Sequence, residues 1–135
     1  MQNSKNSKYS GLIEKFNMEV MTNYNNHIFG VALNNFRNIK KCIDFGAGIG
    51  TLALILRNKF RIEPICIEID DENISYLKKR KFKSFKCLRQ APEDNDLIFS
   101  SNVLEHIKND QNILNLMKKK LKKNGILYLY LPAKM

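Results

Sequence analysis

Short apolar runs alternate along the chain with segments whose apolar residues recur at helical spacing. The apolar runs, which predict β-strands, cover residues 41–45, 62–69, 84–88, 96–101 and 126–131. The helical patterns between them cover residues 50–59, the segment that follows Asp70 and Asp71, and residues 109–123. Because strands that alternate with helices form βαβ units, right-handed crossovers place the carboxyl ends of the strands on one rim. The pattern predicts an α/β fold with a parallel sheet and helices on both faces.

The first forty residues carry a different pattern. Residues 1–9 are polar, and we predict that they are disordered. Two amphipathic sets follow, at residues 12–20 and 28–36, and they predict two helices before the first strand. Since no internal repeat or linker separates the later segments, residues 10–135 are predicted to form one domain.

The composition of the chain is that of a soluble globular protein. Of its 135 residues, 44% are hydrophobic and 27% are charged. No apolar run approaches the roughly 20 residues of a membrane span, and the N-terminus lacks the apolar core of a secretory signal. Cys42, Cys66 and Cys87 are too widely spaced for a zinc site or a disulfide framework. We therefore predict a cytoplasmic protein without a metal site.

The net charge of +10 arises from 23 basic and 13 acidic residues. Much of it lies in two clusters, residues 78–81 and residues 118–123, and both have the pattern of solvated helix faces. A basic balance also suits nucleic acid or an anionic membrane surface. We interpret the clusters as solvent-facing and do not expect nucleic acid as a partner.

A glycine-rich segment, Gly46-x-Gly48-x-Gly50, joins the first strand to its helix, and Asp44 stands two residues before the first glycine. Glycines allow a sharp turn and a close approach of the backbone to a ligand, and the helix that follows offers free N–H groups. A dinucleotide fingerprint would need its third glycine at position 51, which is Thr51, and the segment contains no Walker Lys-Ser/Thr pair. The segment predicts a nucleotide-sized pocket of another kind, and the alternative is that the glycines serve only the tight packing of the strand against the helix.

Two further features end on the same predicted rim. Glu68 closes the second strand, where a carboxylate can accept hydrogen bonds from both hydroxyls of a ribose. The alternative is an ordinary solvent-facing acid. Residues 96–106, Asp-Leu-Ile-Phe-Ser-Ser-Asn-Val-Leu-Glu-His, carry the fourth strand into polar side chains.

Together, residues 43–50, Glu68 and residues 96–106 resemble the class I S-adenosylmethionine-dependent methyltransferases, over residues 42–132. The resemblance implies a Rossmann-like sheet of strand order 3-2-1-4-5 and an enzyme that uses S-adenosyl-L-methionine. Residues 96–106 are similar to the segment found in the subgroup that methylates small molecules, lipids and sugars. The implied function is methyl transfer to such an acceptor.

The resemblance also implies roles for individual residues. Asp44 would place the ammonium group of the cofactor, Glu68 would hold the ribose, and Ile69 would pack on the adenine. The remaining cofactor-binding residues that it implies are Phe45, Gly46, Ala47 and Gly48 for the methionine part, Gln90 or Ala91 for the adenine, and Ser101 and Asn102 under the sulfonium. His106 is the candidate general base, and its alternative role is packing at the turn after strand four.

The family continues past its fifth strand into two further strands, which this sequence lacks. Residues 126–131 would then form an apolar edge, which a second chain or a further segment would cover. Besides the small-molecule, lipid or sugar methyltransferase, two alternatives stay open: a non-catalytic S-adenosylmethionine-binding or interaction domain, and an RNA methyltransferase favoured by the net charge. Against the latter, the segment after strand four lacks the Asn/Asp-Pro-Pro-Tyr/Phe motif of amino-methylating nucleic-acid enzymes.

Overall fold

A computed structural model describes residues 38–101 and 107–130 of the chain. Its residues divide into two compact units, 1–35 and 36–135, and all the described residues belong to the second. The predicted disorder of residues 1–9 and the two predicted N-terminal helices lie outside the described residues. The disorder and the two helices stay predictions, and so does the assignment of residues 10–135 to one domain.

Five parallel strands form one sheet in the order β3-β2-β1-β4-β5, which confirms the predicted topology. The strands are β1 Cys42–Phe45, β2 Pro64–Ile67, β3 Ser84–Phe85, β4 Asn95–Ser101 and β5 Leu121–Tyr130. Because β1 lies between β2 and β4, its four residues are all buried. Three of the four are apolar, as expected of a central parallel strand, and the fourth is the acid Asp44.

Three α-helices and one short turn connect the strands: α1 Thr51–Phe60, α2 Asp71–Lys79, the 3-10 turn Leu88–Gln90, and α3 Asp110–Lys120. Helix α2 shows why these segments are helical. Its N-cap Asp70 accepts a hydrogen bond from the backbone N–H of Asn73 at 3.0 Å, acids occupy its first turn, and lysines occupy its last turn.

In the described part of the chain, no helix has the length and apolar character needed to cross a membrane.

Apolar side chains cover both faces of the sheet. One cluster contains Ile43, Phe45, Ile67, Leu88, Ala91, Ile98 and Met117, and the other contains Ala53, Cys66, Leu77 and Phe82. Cys66 and Ile67, which are successive residues of β2, therefore face opposite sides of the sheet, as the pleat of a strand requires. Buried apolar surface on two sides fixes the ends of the strands, on which the candidate site is built.

The junction between α3 and β5 differs from the prediction. The helix ends at Lys120 rather than at residue 123, and β5 begins at Leu121, with a register shift between Asn95 and Leu97 of β4. The predicted left-handed residue is present, because Asn124 has a φ of 70°, but it lies within the shifted stretch of β5 rather than at the helix end. Among the described strands β5 pairs with β4 alone, so the covering of its outer edge remains a prediction.

The second lysine cluster is only partly solvent-facing. Lys118, Lys119, Lys122 and Lys123 are exposed, whereas Lys120 is buried. Lys122 forms an ion pair with Asp96, whose carboxylate also accepts hydrogen bonds from the backbone N–H groups of Lys40 and Lys41. These contacts, with that of Lys122 first, lower the pKa of Asp96 to about 2. They tie the beginning of β4 to the segment before β1.

Candidate ligand-binding site

The glycine loop, residues 46–50, turns the chain sharply between β1 and α1. Gly48 has a φ of 59°, in the left-handed region, and a Cβ there would meet no heavy atom within 4 Å. Gly50 has a φ of 89°, and a Cβ there would lie 2.9 Å from Cδ2 of Leu77. Gly48 thus leaves the loop open to a ligand, whereas Gly50 allows the loop to pack against α2 and its following residues.

Glu68 holds the glycine loop against the end of β2. Its Oε2 accepts a hydrogen bond from the backbone N–H of Gly48 at 2.7 Å. Its Oε1 accepts from the N–H groups of Ile69 and Asp70, at 3.1 and 3.2 Å. A carboxylate has about four lone-pair positions, so Glu68 retains an acceptor position for a ligand hydroxyl.

Asp44 places a buried carboxyl at the end of β1, two residues before the loop. It is 2% exposed, and its Oδ2 has no hydrogen-bond partner among the described residues. Burial, and secondly the negative charge of Glu68, raise the pKa of Asp44 to about 8. The thiols of Cys42 and Cys66 beside it also have raised pKa values, chiefly because they are buried. An unpaired carboxyl in this position suits a ligand that brings a positive charge.

Arg80 fixes the other end of the glycine loop, a contact that the sequence pattern did not indicate. Its Nη1 donates a hydrogen bond to the carbonyl oxygen of Ile49 at 2.7 Å. Arg57 supports the segment from which Arg80 projects: its guanidinium stacks on the Phe82 ring and donates to the carbonyl of Arg80. Both arginines donate hydrogen bonds to backbone carbonyls that lie 23 or more residues away in sequence. No local motif therefore predicts these contacts.

A cavity of about 480 Å³ opens at the carboxyl ends of β1 and β2. Its lining residues are Phe45, Gly46, Ile67, Glu68, Ile69, Lys86, Cys87, Leu88, Ile107 and Ile113. We call Gly46, Glu68 and Ile69 the loop side, and Lys86, Cys87, Leu88 and Ile113 the turn side. The volume is in the range of small-molecule sites, and ligands of open α/β sheets bind at this rim.

The loop side contains residues that the sequence singled out, and the turn side does not. Ile69 lines the cavity and is 78% exposed. Gln90, one of the two residues suggested for an adenine contact, is exposed and does not line the cavity. Its Oε1 instead accepts a hydrogen bond from the backbone N–H of Cys87 at 3.3 Å, and so supports a residue that does line it.

The remaining predicted site residues divide between the end of β4 and the chain beyond it. Ser101 ends β4, and its buried Oγ has no hydrogen-bond partner among the described residues. Asn102 and His106 lie outside the described residues, so their roles stay predictions. Within residues 38–101 and 107–130, no group of three His, Cys, Asp or Glu side chains could hold a metal ion.

The site therefore combines three chemical features at one rim. Asp44 offers a buried acid for a cation, Glu68 offers an acceptor for hydroxyl groups, and Ile69 lines the same cavity as the largely apolar turn side, where a planar ring could pack. Such a set fits a nucleoside ligand that carries a positive charge near the glycine loop.

Residues 21–135 match the model of a protein family described as a methyltransferase domain. Among curated protein sequences, none matches the chain.

Solved structures share its fold. A SAM-dependent methyltransferase from Archaeoglobus fulgidus is 23% identical, with a TM-score of 0.67 over 88% of this chain and 56% of that one. PKMT2 from Rickettsia typhi, in complex with AdoHcy, is 19% identical, with a TM-score of 0.56 over 68% and 20%. Coclaurine N-methyltransferase, bound to N-methylheliamine and SAH, is 18% identical, with a TM-score of 0.62 over 76% and 34%. The chain thus spans about half or less of the length of these structures.

Proposed function

We propose, from the premise that this chain belongs to the methyltransferase-domain family, that it binds S-adenosylmethionine and transfers the methyl group to an acceptor. The observation that carries the proposal is the buried Asp44 carboxyl, whose Oδ2 has no partner among the described residues, beside a glycine loop fastened by Glu68. A dinucleotide brings a diphosphate to this position, and a buried acid would repel it. S-adenosylmethionine brings an ammonium group and a sulfonium, and the acid would attract both.

The residues present fit this cofactor. Asp44 in its ionised form would hold the ammonium, and Glu68 would accept hydrogen bonds from the ribose while keeping the loop in place. Ile69 would pack on one face of the adenine, opposite the turn side. When bound, the cofactor supplies a methyl group on a sulfonium with a good leaving group. The chain would contribute mainly alignment and the exclusion of water.

The acceptor that we propose is a small molecule, a lipid or a sugar. Its support is the resemblance of residues 96–106 to the subgroup that methylates such compounds. An RNA acceptor is the alternative, supported by the net charge of +10. We expect the protein to transfer a labelled methyl group to metabolite and lipid extracts but not to total RNA. We also propose that it acts in the cytoplasm.

Isothermal titration with S-adenosylmethionine and with NAD tests the cofactor. We expect S-adenosylmethionine alone to bind, and we expect Asp44→Ala and Glu68→Ala to weaken that binding strongly. Glu72→Ala is the matched control, because Glu72 is an exposed acid on the first turn of α2. Binding of NAD in place of S-adenosylmethionine, or unchanged affinity in both site variants, would refute the proposal.

A further inference from the structure

Lys120, the last residue of α3, differs from the lysines around it. It is 7% exposed, whereas Lys118 and Lys119 in the same turn are exposed. Its Nζ donates hydrogen bonds to the carbonyl oxygen of Ala91 at 2.8 Å and to that of Arg89 at 3.1 Å. Its recorded partners are thus backbone carbonyls at the end of the 3-10 turn.

Such a contact is costly to build. An ammonium group loses its hydration on burial, and carbonyl dipoles return only part of that free energy. A methionine of similar length would occupy the same space without this cost. The benefit of Lys120 is that it fixes the position of the turn relative to the helix, since its one ammonium group donates to two carbonyls at defined distances.

The turn and the helix both contribute residues to the cavity. Cys87 precedes the turn, Leu88 is its first residue, and Ile113 lies on α3, two helical turns before Lys120. Asn95 adds a second link, because its Nδ2 donates to the carbonyl oxygens of Pro92 at 2.7 Å and Lys120 at 2.9 Å. The turn side of the cavity is therefore assembled from two segments that Lys120 holds together.

We propose that Lys120 is a positioning residue for cofactor binding: it fixes the turn side of the cavity, although it does not line the cavity itself. The inference rests on the proposed function, since it assumes that the cofactor occupies this cavity. It predicts that affinity for the cofactor depends on a side chain that never touches it.

The test compares Lys120→Met with Lys119→Met, which removes an equally charged but exposed lysine from the same helical turn. We expect Lys120→Met to weaken binding of S-adenosylhomocysteine about tenfold, because the turn loses both of its charge-assisted hydrogen bonds to α3, and Lys119→Met to change it less than about twofold. Lys120→Arg, which keeps a charged donor, should recover most of the affinity. Circular dichroism and thermal unfolding establish that each variant is folded at the temperature of titration.

A purely structural lysine would lower the unfolding temperature and leave the affinity of the folded protein unchanged, and that result would overturn the inference. A second measurement needs no variant. In the wild-type protein, S-adenosylhomocysteine should slow hydrogen exchange at the amides of Gln90 and Ala91, which bond to Cys87 and Leu88. If S-adenosylhomocysteine binds and exchange at these two amides is unchanged, the inference about Lys120 is overturned but the proposed function is not. Absence of binding to the wild-type protein would overturn the proposed function as well.

Discussion

The two sides of the cavity are held in place by contacts of different kinds: backbone N–H groups donate to a carboxylate on the loop side, and an ammonium group donates to backbone carbonyls on the turn side. On the loop side, Gly46 and Glu68 follow directly from the ends of β1 and β2, and the hydrogen bond from Gly48 to Glu68 joins them across 20 residues. On the turn side, Leu88 and Ile113 are joined through Lys120, whose contacts span 29 and 31 residues. The residues of the loop side belong to short sequence motifs, whereas the position of the turn side depends on how α3 packs against the 3-10 turn.

Loss of the Glu68 carboxylate should have the largest effect on the loop side. Glu68→Gln keeps the shape but removes the charge that accepts three backbone N–H groups. We expect affinity for S-adenosylmethionine to fall about a hundredfold, because both the loop and the ribose lose a charged acceptor. Titration calorimetry measures it, with Glu72→Gln as the control. An affinity within a few fold of wild type would mean that the loop side is not the ribose site.

The same contrast explains what could be predicted from the sequence. Asp44, the glycines and Glu68 lie at strand ends, so alternating strands and helices were enough to bring them to one rim, and the family match confirms the predicted family. Lys120 was predicted to face solvent because it belongs to a run of three lysines, and periodicity does not show which member turns inward. The contact of Arg80 could not be predicted either, because its partner is the backbone carbonyl of Ile49, which no sequence motif marks.

A substitution at Gly50 tests whether the glycine loop depends on packing against α2 and Phe82, residues outside its own motif. In Gly50→Ala, the new methyl group would lie 2.9 Å from Leu77 Cδ2 and 3.3 Å from Phe82 Cε2, in a left-handed backbone conformation. We expect a loss of about 2 kcal/mol in the free energy of unfolding. Gly48→Ala is the matched control, because it has the same strain and no clash, and it should cost about 1 kcal/mol. Chemical denaturation measures both, and equal losses would show that packing onto α2 contributes nothing.

Asp44, at the end of β1 before the glycine loop, makes cofactor binding dependent on pH. Since its pKa is raised to about 8, the free protein keeps the proton below that pH, and binding of a cationic cofactor must release it. Affinity should therefore rise by about tenfold or more between about pH 6 and about pH 8. Calorimetry in buffers of different ionisation enthalpy measures the released proton. A flat profile, or one unchanged in Asp44→Asn, would contradict this role.

The same carboxyl should destabilise the free protein. The unfolded chain releases this proton near the ordinary pKa of 3.8, and the folded chain keeps it to about 8, so stability falls as pH rises through that window. Asp44→Asn removes this penalty and should unfold at a higher temperature than wild type at about pH 8, while binding the cofactor poorly. Thermal unfolding without ligand checks the first expectation. A variant less stable than wild type at that pH would mean that the carboxylate is satisfied in the free protein.

The smallest effect is expected from the one charged residue on the turn side. Lys86 lines the cavity and forms an ion pair with Asp71 at 2.6 Å, but both side chains are largely exposed. Exposed pairs contribute little, so Lys86→Met should change affinity for S-adenosylmethionine by less than about twofold. Lys83→Met, on an exposed lysine before β3, is the control. If Lys86→Met instead weakened binding as much as Lys120→Met, the turn side would act through its charge, and its packing against α3 would no longer account for affinity.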